Sequence, residues 1–168
     1  RGIPFDVRGV VSLSAGMESE IPFPPSVPKI AVGRKADRLH FLHGGYLPTA
    51  SGSPVAVYRI VYADGHVEDF AARFQLTIGN AFVGSKDPDS PFLVWRGEGT
   101  GLQQGRRDTG LFLATWDNPR PDQKIVHIDF IATLNRVNPF LVAVTASRDA
   151  DALSDESLSP IDLASQAV

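Results

Sequence analysis

The chain has 168 residues, 43% of them apolar and 21% charged, with a formal net charge of −3. These values fit one globular domain with a sizeable core, and they exclude the basic footprint of a nucleic-acid binder. No apolar run reaches the ~20 residues a membrane-spanning helix needs, and the absence of cysteine excludes disulfides, thiolate catalysis and cysteine-ligated zinc.

Fifteen glycines and 13 prolines punctuate the apolar runs, which favours many short strands over a few long helices. The opening stretch, GIPFDVRGVVSLSAG, alternates: Phe5 shares a face with Val7, and Val11 with Leu13, with Gly9 between the two pairs. The next, MESEIPFPPSVPKIAVG, carries Pro22, Pro24, Pro25 and Pro28. Proline lacks the ladder N–H, so an extended connection or an edge strand is expected there.

RLHFLHG follows, with Leu39, Phe41 and His43 on one side and Arg38, His40 and Leu42 on the other. Gly44 and Gly45 are expected to stop this strand. In PVAVYRIVY one face is Ala56, Tyr58, Ile60 and Tyr62, and the other is Val55, Val57, Arg59 and Val61. Two largely apolar faces mark a central strand buried on both sides. Asp64-Gly65 then supplies the positive φ angles of a tight hairpin into HVEDF. ARFQLTIG reads as a half-buried strand, with Phe74, Leu76 and Ile78 inward and Arg73, Gln75 and Thr77 outward.

NAFVGSKDPDSP and the glycine-rich GEGTGLQQGRRDTG read as loops on either side of PFLVWRG. GLFLATW is a strand and DNPRPD a turn. KIVHIDFIATL places Val126, Ile128, Phe130 and Ala132 on one face, with His127 and Asp129 on the other. PFLVAVTA is the last strand expected. About ten strands suffice for two sheets packed face to face. The architecture expected is therefore an all-β, two-sheet antiparallel β-sandwich over residues 1–146. After Ala146 the chain holds five acidic residues against one arginine. Residues 147–168 are expected to form an acidic tail or linker that the fold can spare. A short helix over Pro160–Ala167, capped by Ser159, fits that stretch.

Catalytic motifs are sparse. His40 and His43, three apart on a strand, face opposite ways and do not share a metal. His66 follows the hairpin turn, and His127 with Asp129 reads as an exposed polar face. Glu68, Asp69, Glu98, Asp108, Asp117 and Asp129 are the carboxylates a glycosidase pair could use, but none sits in a catalytic context. There is no Gly-x-Ser-x-Gly and no phosphate-binding loop. Asp87, Asp89 and Ser90 offer oxygen ligands for calcium, yet an ordinary turn fits the prolines there better. Ligand binding therefore falls to aromatic rings beside polar groups. Trp116 ends a strand at the turn Asp117-Asn118, so these three residues are the first candidates, with Trp95 and Tyr46 next. Core packing competes with that role for both tryptophans.

Several phrases carry a resemblance: GIPFDV, VGRKADRLHFLHG, VYRIVYADGHVEDF, TWDNPRPD, IVHIDF and NPFLVAVTA. Together they resemble a β-sandwich domain of secreted or periplasmic proteins of environmental bacteria. Such domains are similar to galactose-binding-like, carbohydrate-module-like jelly rolls, found beside glycan-active enzymes and in FecR-type anti-sigma regulators. The resemblance spans Gly2–Ala146. It implies a non-catalytic accessory module outside the cytoplasm that binds carbohydrate and needs no cofactor or metal. It supplies no catalytic residues. Members often carry tryptophans after the hairpin, where this chain reads RFQLTIGNAF. The Arg1 start, in place of methionine, fits a mature or excised piece. A structural or protein-interaction domain of a regulator ectodomain or surface assembly is the alternative, and a hydrolase with dispersed carboxylates a third.

Overall fold

The computed structural model describes residues 2–14, 23–83, 90–97, 108–133, 135–148, 158–161 and 163. Among these residues the chain forms eleven strands and no helix. They are β1 (Val11–Ser12), β2 (Ser26–Arg34), β3 (Arg38–Tyr46), β4 (Pro54–Tyr62), β5 (Val67–Arg73) and β6 (Phe82–Val83). The others are β7 (Leu93–Gly97), β8 (Asp108–Asp117), β9 (Ile125–Ala132), β10 (Asn138–Ser147) and β11 (Leu158–Ile161).

Two antiparallel sheets result, as expected of a β-sandwich. The larger has seven strands: β10, β3 and β8 run through its middle, β1 and β11 pair with β10, and β6 and β7 pair with β8. The smaller has four, in the order β2-β9-β4-β5. Their inner faces meet in one core. Leu39 and Phe41 of β3 and Val144 of β10 pack with Tyr58 and Ile60 of β4 and with Ile128 and Phe130 of β9, all fully buried. Aromatic rings stack through the middle, Phe41 on Tyr58 at 4.1 Å and Tyr58 on Phe130 at 4.9 Å between centroids. Each such side chain contributes ~1.5–3 kcal/mol by leaving water.

Local departures from the sequence reading have local causes. Only Gly65 of the Asp64-Gly65 pair takes a positive φ, 84°. The Gly65 N–H donates to the Tyr62 carbonyl at 3.0 Å and the Tyr62 N–H to the His66 carbonyl at 2.9 Å. The hairpin is therefore a three-residue loop closed by a glycine bulge. Gly44 and Gly45 do not stop β3, which runs on to Tyr46. They make room instead: a Cβ on Gly44 would lie 2.5 Å from the Phe140 ring and one on Gly45 2.6 Å from Val137.

ARFQLTIG is not a strand past Arg73. Gln75 takes φ 59°, and the Arg73 carbonyl accepts from the N–H groups of Leu76, Thr77 and Ile78 at 2.9–3.2 Å. The chain turns there, which keeps Phe74 and Ile78 buried but leaves Leu76 47% exposed. On β9 the ladder opposite Val61 and Tyr62 skips from His127 to Ile125. Val126 is thus an extra, exposed residue of a bulge rather than part of the core face. The outer face of β4 is also more open than expected, with Arg59 exposed between half-buried Val57 and Val61.

Residues 2–10 form no strand. They lie as a strap on the outer face of the larger sheet, where Phe5 packs on Leu42, Phe140, Val142 and Ala143. The Thr145 hydroxyl fastens the strap by donating to the Pro4 carbonyl at 2.7 Å. Beyond Ser147, residues 158–161 are strand β11 rather than the start of a helix. Ile161 and Leu163 are buried in the main core, so apolar side chains at 161 and 163 bring this part of the acidic stretch back onto the sandwich.

Candidate functional site

In the turn after β8, Asn118 holds the fold, while the Asp117 side chain is largely exposed. Asn118 is buried. Its amide donates to the Ala36 carbonyl at 2.6 Å, and its side-chain oxygen accepts from the Tyr62 hydroxyl and from the Arg120 N–H. Burial pushes the Tyr62 hydroxyl up to about 12, so it stays a donor. Asp117 takes the Arg38 guanidinium at 2.7 Å. Trp116 is half-buried against the core. The three first candidates are adjacent, but Asn118 spends its polar atoms inside the protein.

Trp95 and Tyr46 lie elsewhere. Trp95 is 51% exposed on β7, and its ring rests over Gly97, where a Cβ would come within 2.1 Å of it. It borders a groove of about 700 Å³ on the outer face of the larger sheet, between the strap and β7. Ile3, Phe5, Leu42, Val94 and Leu113 share the lining, and among the described residues no polar side chain does. Tyr46, at the end of β3 away from Trp116, contacts the rings of Phe82 and Phe140.

The histidines and the described candidate carboxylates are engaged. His40 and His43 face opposite ways, as their spacing implies. His40 bridges the hydroxyls of Thr115 and Ser147 at 2.9 and 3.0 Å. His43 lies in the core and donates from Nε2 to the Thr77 carbonyl at 2.8 Å, since a carbonyl can only accept. Arg59 grips Asp69 with two bonds of 2.9 Å and thereby holds the Asp69 carboxyl below its ordinary range. Asp129 accepts from the Lys29 N–H at 2.8 Å and stands 3.6 Å from His127. Glu68 contacts His66 at 2.8 Å and Asp108 lies 3.8 Å from Arg96. Asp87, Asp89 and Glu98 lie outside the described residues.

A second recess, of about 530 Å³, opens at the end of the sandwich where β3 and β5 stop. Its floor is apolar: Phe74 and Phe112 are buried, and Phe112 lies over Gly79, where a Cβ would come 2.3 Å from the ring. Among the described residues its wall is uncharged, with the polar side chains of Thr49, Gln75, Asn80 and Ser90 set between Pro48, Val83 and Pro91. The chain is fixed around it. Gln75 donates its N–H to the Ile78 carbonyl at 2.7 Å, Arg73 reaches the Gly52 carbonyl at 3.0 Å, and His43 holds Thr77 from below. Gln75 and nearby Leu47 both keep positive φ, 59° and 73°, an outlying backbone state for side-chain-bearing residues that clusters at ligand clamps.

This cleft can seat a neutral molecule. Two amides and two hydroxyls can donate and accept, while the phenyl floor receives an apolar face. A charged group would lose hydration with no counter-charge among the described residues of the wall. Sequence reasoning missed the cleft because its wall residues, spread between Thr49 and Ser90, share no motif. The signal present was Gln75-Leu76, whose exposure on a supposed strand depends on a turn. Comparison with protein-family models, curated proteins and solved structures gives no match to the chain.

Proposed function

We propose that the chain is a non-catalytic accessory module that binds a neutral carbohydrate, working outside the cytoplasm as part of a bacterial secreted or surface protein. The observation that carries this reading is the end cleft. Uncharged hydrogen-bonding groups surround an aromatic floor there, in a volume within the ~300–1,000 Å³ typical of small-ligand sites. A sugar ring matches it: its C–H face lies on the Phe74 and Phe112 side, and its hydroxyls meet Gln75, Asn80, Thr49 and Ser90. The sandwich architecture and the jelly-roll resemblance of Gly2–Ala146 support the same reading, and the extracytoplasmic location rests on that resemblance. A glycan array tests it. Binding confined to neutral glycans, and sugars recovered unchanged after long incubation, is the expected result. Binding only to acidic glycans, or turnover of the bound sugar, contradicts it.

A further inference from the structure

The tripeptide Ile-Pro-Phe occurs twice in the chain, at residues 3–5 and 21–23. The first copy is already a ligand of the larger sheet. Ile3 and Phe5, two apart in an extended segment, point to the same side and line the groove. Pro4 between them has no N–H to satisfy and offers its carbonyl to Thr145. Beyond this strap, among the described residues, the groove stays open across to Leu93, Val94 and Trp95. The open half is apolar, like the half that holds Phe5.

We propose that this open half receives Ile21–Phe23 of a second copy of the chain, seated beside the strap. The occupant is chemically identical to the segment the face already binds. Pro24 and Pro25, directly after Phe23, favour an extended polyproline-like form, which lowers the entropy lost on docking. Phe23 is 40% exposed and does not line the groove of its own molecule. It cannot readily do so: the next residue, Pro24, accepts from the Ser14 N–H at 3.0 Å, beside β1. From β1 the way to β8 crosses β10 and β3, on the order of 15 Å at the usual strand spacing. A neighbouring molecule has no such tether. The contact joins two different surfaces, so it is head-to-tail and propagates into open chains unless it closes a ring.

Analytical ultracentrifugation of the whole chain tests this, with two surface variants. Wild type is expected to gain apparent mass as concentration rises. Phe23→Asp removes the donor segment and Trp95→Asp spoils the acceptor groove, so each variant alone is expected to stay monomeric. Both side chains are exposed, and unchanged melting curves confirm that neither variant unfolds. Mixing the two variants pairs an intact groove with an intact segment, and a 1:1 complex that grows no further is expected. A monomeric wild type at every concentration overturns the proposal, whether the groove then stays open or takes its own segment. So does self-association that survives in either variant, or a mixture that stays monomeric. None of these results depends on glycan binding.

Discussion

The Tyr58 hydroxyl donates to Nδ1 of His43 at 2.8 Å across the inside of the sandwich. The pair joins β4 of the smaller sheet to β3 of the larger, and the other His43 nitrogen donates to Thr77 in the turn that carries Gln75. Both residues are fully buried. The bonds suit a neutral imidazole: Nε2 carries its single hydrogen and Nδ1 accepts.

Stability should therefore fall in mild acid. Desolvation by burial lowers the His43 pKa from 6.5 to about 4, against a smaller opposing effect of the Thr77 carbonyl. The unfolded chain binds the proton more tightly than the folded one, so stability rises with pH between about 4 and 6.5. The stabilisation is whole above 6.5 and is lost as pH drops through that window, on the order of 3 kcal/mol. Urea unfolding across that range should show the slope, and His43→Gln should flatten it there. An unchanged slope in the variant would show that other groups carry the acid sensitivity.

Gly44→Ala should destabilise the fold by ~1–3 kcal/mol through overpacking, because its Cβ would meet the Phe140 ring at 2.5 Å. Adding Phe140→Leu should return part of that loss, a coupling expected of residues in contact. Denaturation of the two single variants and the double variant gives the coupling directly. Simple additivity would show that the ring moves aside without cost.

Asn118→Ala should lower stability by ~1–3 kcal/mol, since the buried Tyr62 hydroxyl loses its acceptor and the Ala36 carbonyl a donor. Glycan affinity of the folded variant should not change. A stable variant with lost affinity would return the ligand to the β8 turn.

Removing residues 148–168 should lower the melting temperature on the order of 10 °C, because β11 leaves the β10 edge and Ile161 and Leu163 leave the core. A calorimetric scan of the shortened chain measures this. An unchanged melting temperature would show that the 158–163 stretch contributes nothing to the fold.

The strands legible in the sequence were those whose alternation coincides with real burial. Tyr58 and Ile60 sit inward as their period-two pattern implies, and His40 and His43 point apart. Where the reading failed, a backbone event reset the count: the positive φ of Gln75 and the bulge at Val126 both lie inside runs that alternate well on paper. Composition hid β11, because its acidic neighbours mask two buried side chains at 161 and 163. The end cleft was out of reach for a different reason. Thr49, Gln75, Asn80 and Ser90 share no motif and become neighbours only through the strand pairing. Trp116, by contrast, was visible in the sequence, but its partial burial against the core is a property of the fold.

The most direct measurement is calorimetric titration of a neutral glycan, chosen from the array, into wild type, Thr49→Trp, Gln75→Ala and Trp116→Ala. Thr49→Trp should fill the cleft and abolish binding. Gln75→Ala should weaken it roughly 2–10-fold, the loss of one hydrogen bond, with stability little changed because the Gln75 side chain is exposed and the backbone N–H to Ile78 is kept. Trp116→Ala should leave the affinity of the folded protein unaltered. Full affinity in Thr49→Trp, or a loss confined to Trp116→Ala, would contradict the end cleft as the carbohydrate site.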